Sequence, residues 1–253
     1  MTNLIEAHTH ADLMPYEAYE ELALKGVNRI ITHSCYVGAS RATTLFDHYH
    51  QLLKIFTNNA QKNGLKLFIT VGIHPLGIPE DWPKVIDILP TFLEKETIIG
   101  LGEVGLHFDT ALEAEVLKAQ VELAKSLNVP IDLHLPPKNR SEVVTKTLDI
   151  VAKVGIDPQK VVIEHVHTDV IKMVNEFGAY AGLSLGEGRL SPQDILENAS
   201  LFQRGMLNSD YINFVYRRYD AVPKAVHWLK LHGVDVSFLE AIAFRNAEEC
   251  WKI

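Results

Sequence analysis

Short apolar runs alternate along the whole chain with longer stretches whose apolar positions recur every three to four residues. The first kind reads as strands and the second as amphipathic helices. Strands are predicted at 4–10, 29–34, 67–73, 98–103, 130–134, 161–165, 180–184 and 206–210. Helices are predicted between them, several with recognisable ends. One over 15–24 stops at Gly26, one over 39–62 stops at Gly64, and one over 112–127 ends at Asn128, ahead of Pro130. Glycine and asparagine tolerate the left-handed backbone that ends a helix. Ser141 is expected to cap a helix that ends at Gly155 and Thr168 one that ends at Gly178, while Ser191-Pro192 opens another. A final helix is predicted over 237–251.

Strands alternating with helices argue for βαβ units and a parallel sheet. From His10 to Asp210 seven strand-to-strand steps span 200 residues, roughly 29 each and close to the ~30 of a βαβ unit. The competing open, doubly wound sheet would carry Gly-x-Gly-x-x-Gly after its first strand, and that fingerprint is missing. The expected fold is α/β, a single (β/α)8 TIM barrel forming one domain over residues 1–253.

Composition changes this picture little. The chain of 253 residues is 47% hydrophobic and 22% charged, enough apolar material for a sizeable core. Its net charge of −8 counts against a general nucleic-acid binder, which needs clustered Lys and Arg. It leaves room for a nuclease, because metal ions can supply the positive charge that phosphate needs. Two distant cysteines, Cys35 and Cys250, exclude a disulfide framework. With no basic leader and no apolar run of ~20 residues, the expected location is the cytoplasm and no membrane partner is expected.

Chemistry concentrates where strands end. His8 and His10 close the first strand, Glu103 the fourth, His134 the fifth, His165 the sixth and Asp210 the eighth. In such a barrel these ends share one rim, where active sites lie. Residues two apart on a strand share a face, so His8 and His10 are expected to point inward together with Glu6, and Asp132 together with His134. Imidazoles and carboxylates suit one or two divalent ions: zinc, manganese, cobalt, iron or magnesium. His8 and His10 with a carboxylate make one metal site, and His134 and His165 a second. Glu103 is the expected bridge, and Asp210 completes the first site and serves as general base. Two ions ~3.5–4 Å apart can share a hydroxide and polarise a phosphoryl or carbonyl oxygen. A metal-dependent hydrolase follows as the first hypothesis.

This pattern resembles the TatD-like metal-dependent hydrolases of the amidohydrolase superfamily, along the length of the chain. That family opens with Asp-x-His-x-His, here Glu6-Ala7-His8-Thr9-His10. Its Gly-x-His-Pro is Gly72-Ile73-His74-Pro75, and its Gly-Glu-x-Gly-Leu-Asp is Gly102-Glu103-Val104-Gly105-Leu106-His107, with histidine for aspartate. The histidines of its fifth and sixth strands match His134 and His165, and its late Thr-Asp-x-Pro matches Ser209-Asp210-Tyr211-Ile212. The closing Asn-x-x-Arg-Leu-Phe is echoed by Asn246-Ala247-Glu248-Glu249-Cys250-Trp251. The resemblance implies a (β/α)8 fold, one or two divalent metals and hydrolysis, with nuclease or phosphodiesterase activity in several members. Departures cluster beside the metal positions: Glu6 for Asp, His107 for Asp, Val166-His167 for Cys-Phe, Asp169 for Gly and Ile212 for Pro. They mark a diverged branch.

The substrate expected is a phosphate ester, small or at a nucleic-acid end, bound by His74, His107, His167 and Arg140. Lys138 reads as a solvated basic residue, and Glu187 and Arg189 as parts of a glycine-flanked loop. Cys35 is expected to pack inertly, with His33 turned to the opposite face, and His48, His50, His227 and His232 to be ordinary surface or packing residues. Tyr211, Phe214, Tyr216 and Tyr219 read as loop packing, with a wall over the mouth as the alternative. Two readings compete with the phosphoesterase. One is a single-metal amidohydrolase acting on a cyclic amide, lactone or amino-heterocycle, with Glu103 as its acid–base group; the other is a barrel without catalysis that binds a metabolite. A three-metal phosphoesterase fold also begins with His-x-His, but its extra His and Asp ligands have no counterparts here.

Overall fold

The computed structural model describes residues 3–253. Eight strands form one parallel sheet in sequence order: β1 (Leu4–Thr9), β2 (Val27–His33), β3 (Lys66–Val71), β4 (Ile98–Gly105), β5 (Ile131–His134), β6 (Val161–Ile163), β7 (Tyr180–Ser184) and β8 (Gly205–Asn208). The sheet curls until its ends meet. Above the last ladder, Asp210 N–H donates to the His8 carbonyl at 2.9 Å and His10 N–H to the Tyr211 carbonyl at 3.3 Å. This is a (β/α)8 barrel, as the alternating pattern predicts.

The helices outside it are α1 (Tyr16–Leu24), α2 (Ala42–Gln51), α3 (Thr57–Lys62), α4 (Pro83–Leu93), α5 (Ala111–Leu127), α6 (Arg140–Val154), α7 (Ile171–Phe177), α8 (Pro192–Glu197), α9 (Ala221–Leu231), α10 (Val236–Glu240) and α11 (Asn246–Trp251). A wider helical turn over Leu52–Phe56 joins α2 to α3, and another over Ala241–Arg245 joins α10 to α11. No helix among the described residues is long and apolar enough to cross a membrane. Helices α4 and α9 are additional to those predicted; α4 is amphipathic despite Pro90 inside it and buries Val85, Leu89 and Phe92. Ser191 caps α8 in a reciprocal box with Asp194, as expected. Ser141 and Thr168 do not cap. α6 starts one residue before Ser141, after Asn139 takes a left-handed turn at φ 52°, and α7 starts at Ile171, with the Thr168 hydroxyl facing His167 Nδ1 at 3.1 Å.

The strands are nearly continuous apolar runs because both faces are buried. Outward residues such as Ile30, Leu67, Leu101 and Leu183 pack under the helices. Inward, Ile5, Ala7, Ile31, Phe68, Val162 and Met206 form a floor that Cys250 and Trp251 of α11 plug from below. β1 breaks its alternation above that floor. Its pairing with β2 shifts register between Glu6 and Thr9, so Ala7 and His8 both reach the interior. Glu6 therefore does not share the histidines' face as expected. It is buried against β8, where it accepts from Ser209 N–H at 2.8 Å, and burial raises its carboxyl to about 8.

The segment after β8 returns to the barrel wall at Asp220, a buried carboxylate that accepts from Lys25 at 2.7 Å, Arg218 at 3.0 Å and Lys224 at 3.3 Å. Burial opposes its ionisation, but these three cations prevail and hold it at about 2. A depressed carboxyl stabilises the fold above its unfolded value of 3.8, and that contribution disappears as pH falls through about 2. Asp220→Asn is expected to cost about 1–2 kcal/mol at pH 7 after allowing for the water-exposed cation ends. In thermal melts the difference from the parent should shrink between pH 4 and pH 2; a difference that grows on acidification contradicts the assignment.

Candidate metal centre

All six expected donors gather at the C-terminal rim. His8 lies in β1 and His10 just beyond it, Glu103 in β4, His134 at the end of β5, and His165 and Asp210 two residues past β6 and β8. Left-handed backbone at His165 (φ 57°) and Asp210 (φ 40°) turns both side chains back over the mouth.

Glu103 sits between two groups of imidazoles and is 2% exposed. Its Oε1 faces His134 Nδ1 at 2.6 Å and His165 Nε2 at 3.1 Å. Its Oε2 faces His8 Nε2 at 3.5 Å, His74 Nε2 at 3.6 Å and His10 Nε2 at 3.7 Å. Asp210 completes the first group, with Oδ1 at 3.2 Å from His10 Nε2 and 3.7 Å from His8 Nε2. Burial opposes charge on both carboxylates. His134 and His8 nevertheless hold Glu103 well below the usual range, and Arg189 and His165 do the same for Asp210.

This donor set fits a divalent cation. The contacts linking His8 Nε2 and His10 Nε2 to Glu103 Oε2 and Asp210 Oδ1 run from 3.2 to 3.7 Å. A tetrahedron of ~2.1 Å bonds has edges of about 3.4 Å. The tautomers also fit. His10 Nδ1 donates to the His33 carbonyl at 2.9 Å, which leaves the Nε2 lone pair facing the gap. His8 Nε2 is buried with no hydrogen-bond partner, while its Nδ1 lies 3.3 Å from Glu164 Oε1. Burial disfavours a charged His8, yet Glu164, Glu103 and Asp132 outweigh it and raise its pKa, so this pocket attracts positive charge.

The second group is collapsed onto Glu103 Oε1 at hydrogen-bond distance. His165 Nδ1 accepts from Arg189 at 3.1 Å, so its proton is on Nε2, toward Glu103. His74 shares this tautomer with His165. Its Nδ1 accepts from Leu76 N–H at 3.1 Å, which puts an N–H at Nε2 facing into the site, and burial lowers its pKa to about 3. It is a neutral donor.

Above these groups lies a cavity of about 380 Å³ whose lining includes His107, His167 and Arg140, as expected. His107 Nδ1 meets His134 Nε2 at 3.0 Å, and Arg140 reaches Asp169 at 3.4 Å. The lining also includes Arg189 and Arg217, both on Asp210 Oδ2. Arg189 read as part of a loop, and Arg217 carried no signal because the tyrosines around it drew the pattern. Of the aromatic stretch only Phe214 lines the cavity, while Tyr211 and Tyr219 pack on each other at 5.8 Å. Cys35 is not remote from the site: it lines the cavity, and its sulfur lies within 4.8 Å of donor atoms of His10 and Glu103. Burial pushes its thiol well up. His33 is inside the barrel, stacked on His8 at 3.9 Å, with Nε2 donating to the Ala7 carbonyl at 3.2 Å and Nδ1 accepting from Thr70 at 2.9 Å. His48, His50, His227 and His232 do not line the cavity.

A polar layer separates this rim from the apolar floor. Glu164 is fully buried and accepts from Asn208 Nδ2 at 2.9 Å. Gly182 makes room for it, since a Cβ there would lie 1.9 Å from a Glu164 oxygen. Asp132 lies 3.7 Å from His8 Nδ1 and 3.5 Å from His33 Nδ1. Burial and the neighbouring Glu164 raise the Asp132 carboxyl well above its usual range. Carboxylates that orient a ligating imidazole typically change metal affinity 10–100-fold when lost. Glu164→Leu is therefore expected to weaken binding of the first zinc or manganese equivalent by about 10–100-fold with far-UV circular dichroism unchanged. Glu164→Gln, which keeps an acceptor, should lose less. Equal metal affinity in all three proteins would remove Glu164 from this role.

Residues 5–252 match the family described as TatD related DNase. An uncharacterized metal-dependent hydrolase of Methanocaldococcus jannaschii is 30% identical over 253 residues, 99% of this chain and 100% of that protein. A crystal structure of a TatD-like protein from Archaeoglobus fulgidus superposes with a TM-score of 0.84 at 28% identity, covering 98% of this chain and 100% of that one. A shorter match, 36% identical over 70 residues, covers 26% of this chain and 27% of a 3'-5' ssDNA/RNA exonuclease TatD from Pantoea ananatis. With its barrel, its rim of histidines and carboxylates and a match across nearly its whole length, the chain belongs to the TatD-related DNase family of metal-dependent hydrolases.

Proposed function

We propose that this chain, acting as one barrel domain, hydrolyses phosphate esters. One divalent ion would be held by His8, His10, Asp210 and Glu103, and a second by His134, His165 and Glu103. The observation that carries this reading is Glu103, whose two oxygens face two separate histidine groups, as a shared carboxylate must. Imidazole and carboxylate donors favour zinc, manganese or cobalt, with magnesium the weakest fit. When bound, such ions supply positive charge to a phosphoryl oxygen and lower the pKa of water toward ~7.

The chain's own groups do the rest. Asp210, at the rim between the first cage and the cavity, accepts the proton of the attacking water. His74 offers its Nε2–H to a phosphoryl oxygen. Arg140, His107 and His167 face the substrate from the cavity wall. A cation-rich mouth on a chain of net charge −8 favours a small or terminal phosphate over a long polyanion lying along the surface. The Pantoea relative's name supports a nucleic-acid end as one substrate. The two free cysteines support a reducing, cytoplasmic home.

The collapsed second group favours one further reading, a single-metal amidohydrolase in which Glu103 moves protons instead of bridging. Metal titration of chelator-dialysed protein separates the two. Two equivalents are expected, the first tighter, together with hydrolysis of p-nitrophenyl phosphate or its bis ester. Asp210→Asn should lower kcat by about 10²–10⁴-fold. One equivalent with turnover of lactones or cyclic amides alone overturns the phosphoester reading.

A further inference from the structure

Two guanidiniums converge on one carboxylate at the mouth. Arg189 comes from the loop after β7, where Gly186 and Gly188 take backbone with φ of 144° and 72°. Arg217 comes from the segment between β8 and α9. Both reach Asp210 Oδ2, Arg189 at 2.5 Å. Among the described residues neither has another carboxylate within ion-pair distance.

A cation on His165 would alter this arrangement. His165 can offer its Nε2 lone pair to a cation only with its ring proton on Nδ1. That N–H would face the Arg189 guanidinium, now 3.1 Å away, while the Ser184 hydroxyl at 2.9 Å can accept it. Two facing donors would repel, leaving Arg189 held by Asp210 alone, at the cavity that it already lines. Charge points the same way. Glu103 and Asp210 carry two negative charges, and Arg189 and Arg217 cancel them. Glu164 beside His8 adds a third negative charge, so two divalent ions would still leave the site with positive charge in excess. A terminal phosphate carries about −1.5 to −2 at neutral pH, whereas an internal phosphodiester carries one negative charge. The cavity of about 380 Å³ lies at the small end of ligand pockets, and Val37, Leu76 and Phe214 give it apolar wall for one compact organic group.

We propose that Arg189 and Arg217 grip the free oxygens of a terminal phosphate dianion, making this protein selective for phosphomonoesters over internal phosphodiesters. This rests on the phosphoester reading and narrows it. Water oxygen bonds to phosphorus, the ester P–O bond breaks with its electron pair on the leaving oxygen, and that oxygen takes up a proton. The products are inorganic phosphate and an alcohol. Guanidinium forks match phosphate oxygens two at a time, which a lysine cannot copy.

The test uses the full chain loaded with manganese or zinc, its metal content measured for every variant. Wild type is expected to favour p-nitrophenyl phosphate over bis-p-nitrophenyl phosphate in kcat/KM by about tenfold or more, and to bind inorganic phosphate but not dimethyl phosphate in calorimetry. Arg189→Met and Arg217→Met should each weaken inorganic phosphate binding by about 10–100-fold at equal metal content, and the monoester-to-diester ratio should fall. Arg217→Lys, a milder change that guards against misfolding, should lower the ratio partway. A wild type that cleaves the diester as well as the monoester overturns this inference and leaves the phosphoester reading standing, as does a ratio unchanged in all three variants. Turnover of lactones alone removes both.

Discussion

A single carboxylate, Glu103, held out of water where β4 ends, sets the condition that the rest of the rim meets. Removing an ionised carboxylate from water costs several kcal/mol unless positive charge and hydrogen bonds surround it. Here the surroundings are five imidazoles, His8, His10, His74, His134 and His165, none of which carries a fixed charge. Arginines stand one shell away, on Asp210. A buried anion ringed by imidazoles has no permanent positive charge in contact with it, and a divalent cation would supply one. The raised pKa of His8 has the same origin: with no metal, a proton is the cation that the pocket draws in.

The interior is layered to meet that condition. Trp251 and its apolar neighbours seal the floor. Above them His33, Thr70, Glu164 and Asn208 form a buried polar layer, tied by hydrogen bonds to barrel backbone and to one another, with Asp132 buried beside His8 and His33. This layer contributes little as an apolar core would, but it fixes ring orientation. His8 is stacked on His33 and aimed by Glu164, and His10 is aimed by the His33 carbonyl. A donor placed in advance loses less entropy when its ligand arrives, which is why functional groups need such support.

Much of this was legible from the chain because a buried parallel strand is an apolar run, and a histidine or carboxylate ending one stands out. All eight strands and the six donors follow from that contrast. Strict alternation then fails at the residues that matter most. Ala7 and His8 both face inward because β1 shifts register, and Glu164 and His165 both serve the site because His165 turns left-handed. Two-residue periodicity cannot express either event, so Glu6 was assigned to the wrong face and Glu164 was missed. Arg217 was hidden for another reason. It comes from a loop, where position is set by tertiary contacts such as the anchoring of Asp220 by Lys25, Arg218 and Lys224 and not by local pattern.

The two halves of the candidate metal centre are not equally prepared, and this bears on how the family's chemistry would run in this chain. His8 and His10 already present lone pairs into a gap of suitable size, with their other nitrogens turned to Glu164 and the His33 carbonyl. His134 and His165 are instead bonded to Glu103 Oε1, and His165 must move its proton from one nitrogen to the other before it can ligate. On the proposed reading the first ion would find its ligands already placed, whereas a second would have to displace the hydrogen bonds that His134 and His165 make to Glu103. The same proton shift would end the Arg189–His165 hydrogen bond and leave Arg189 on Asp210 alone. Occupancy of a second position and readiness of the mouth for an anion would then be linked, so a phosphate and a second ion should each favour binding of the other.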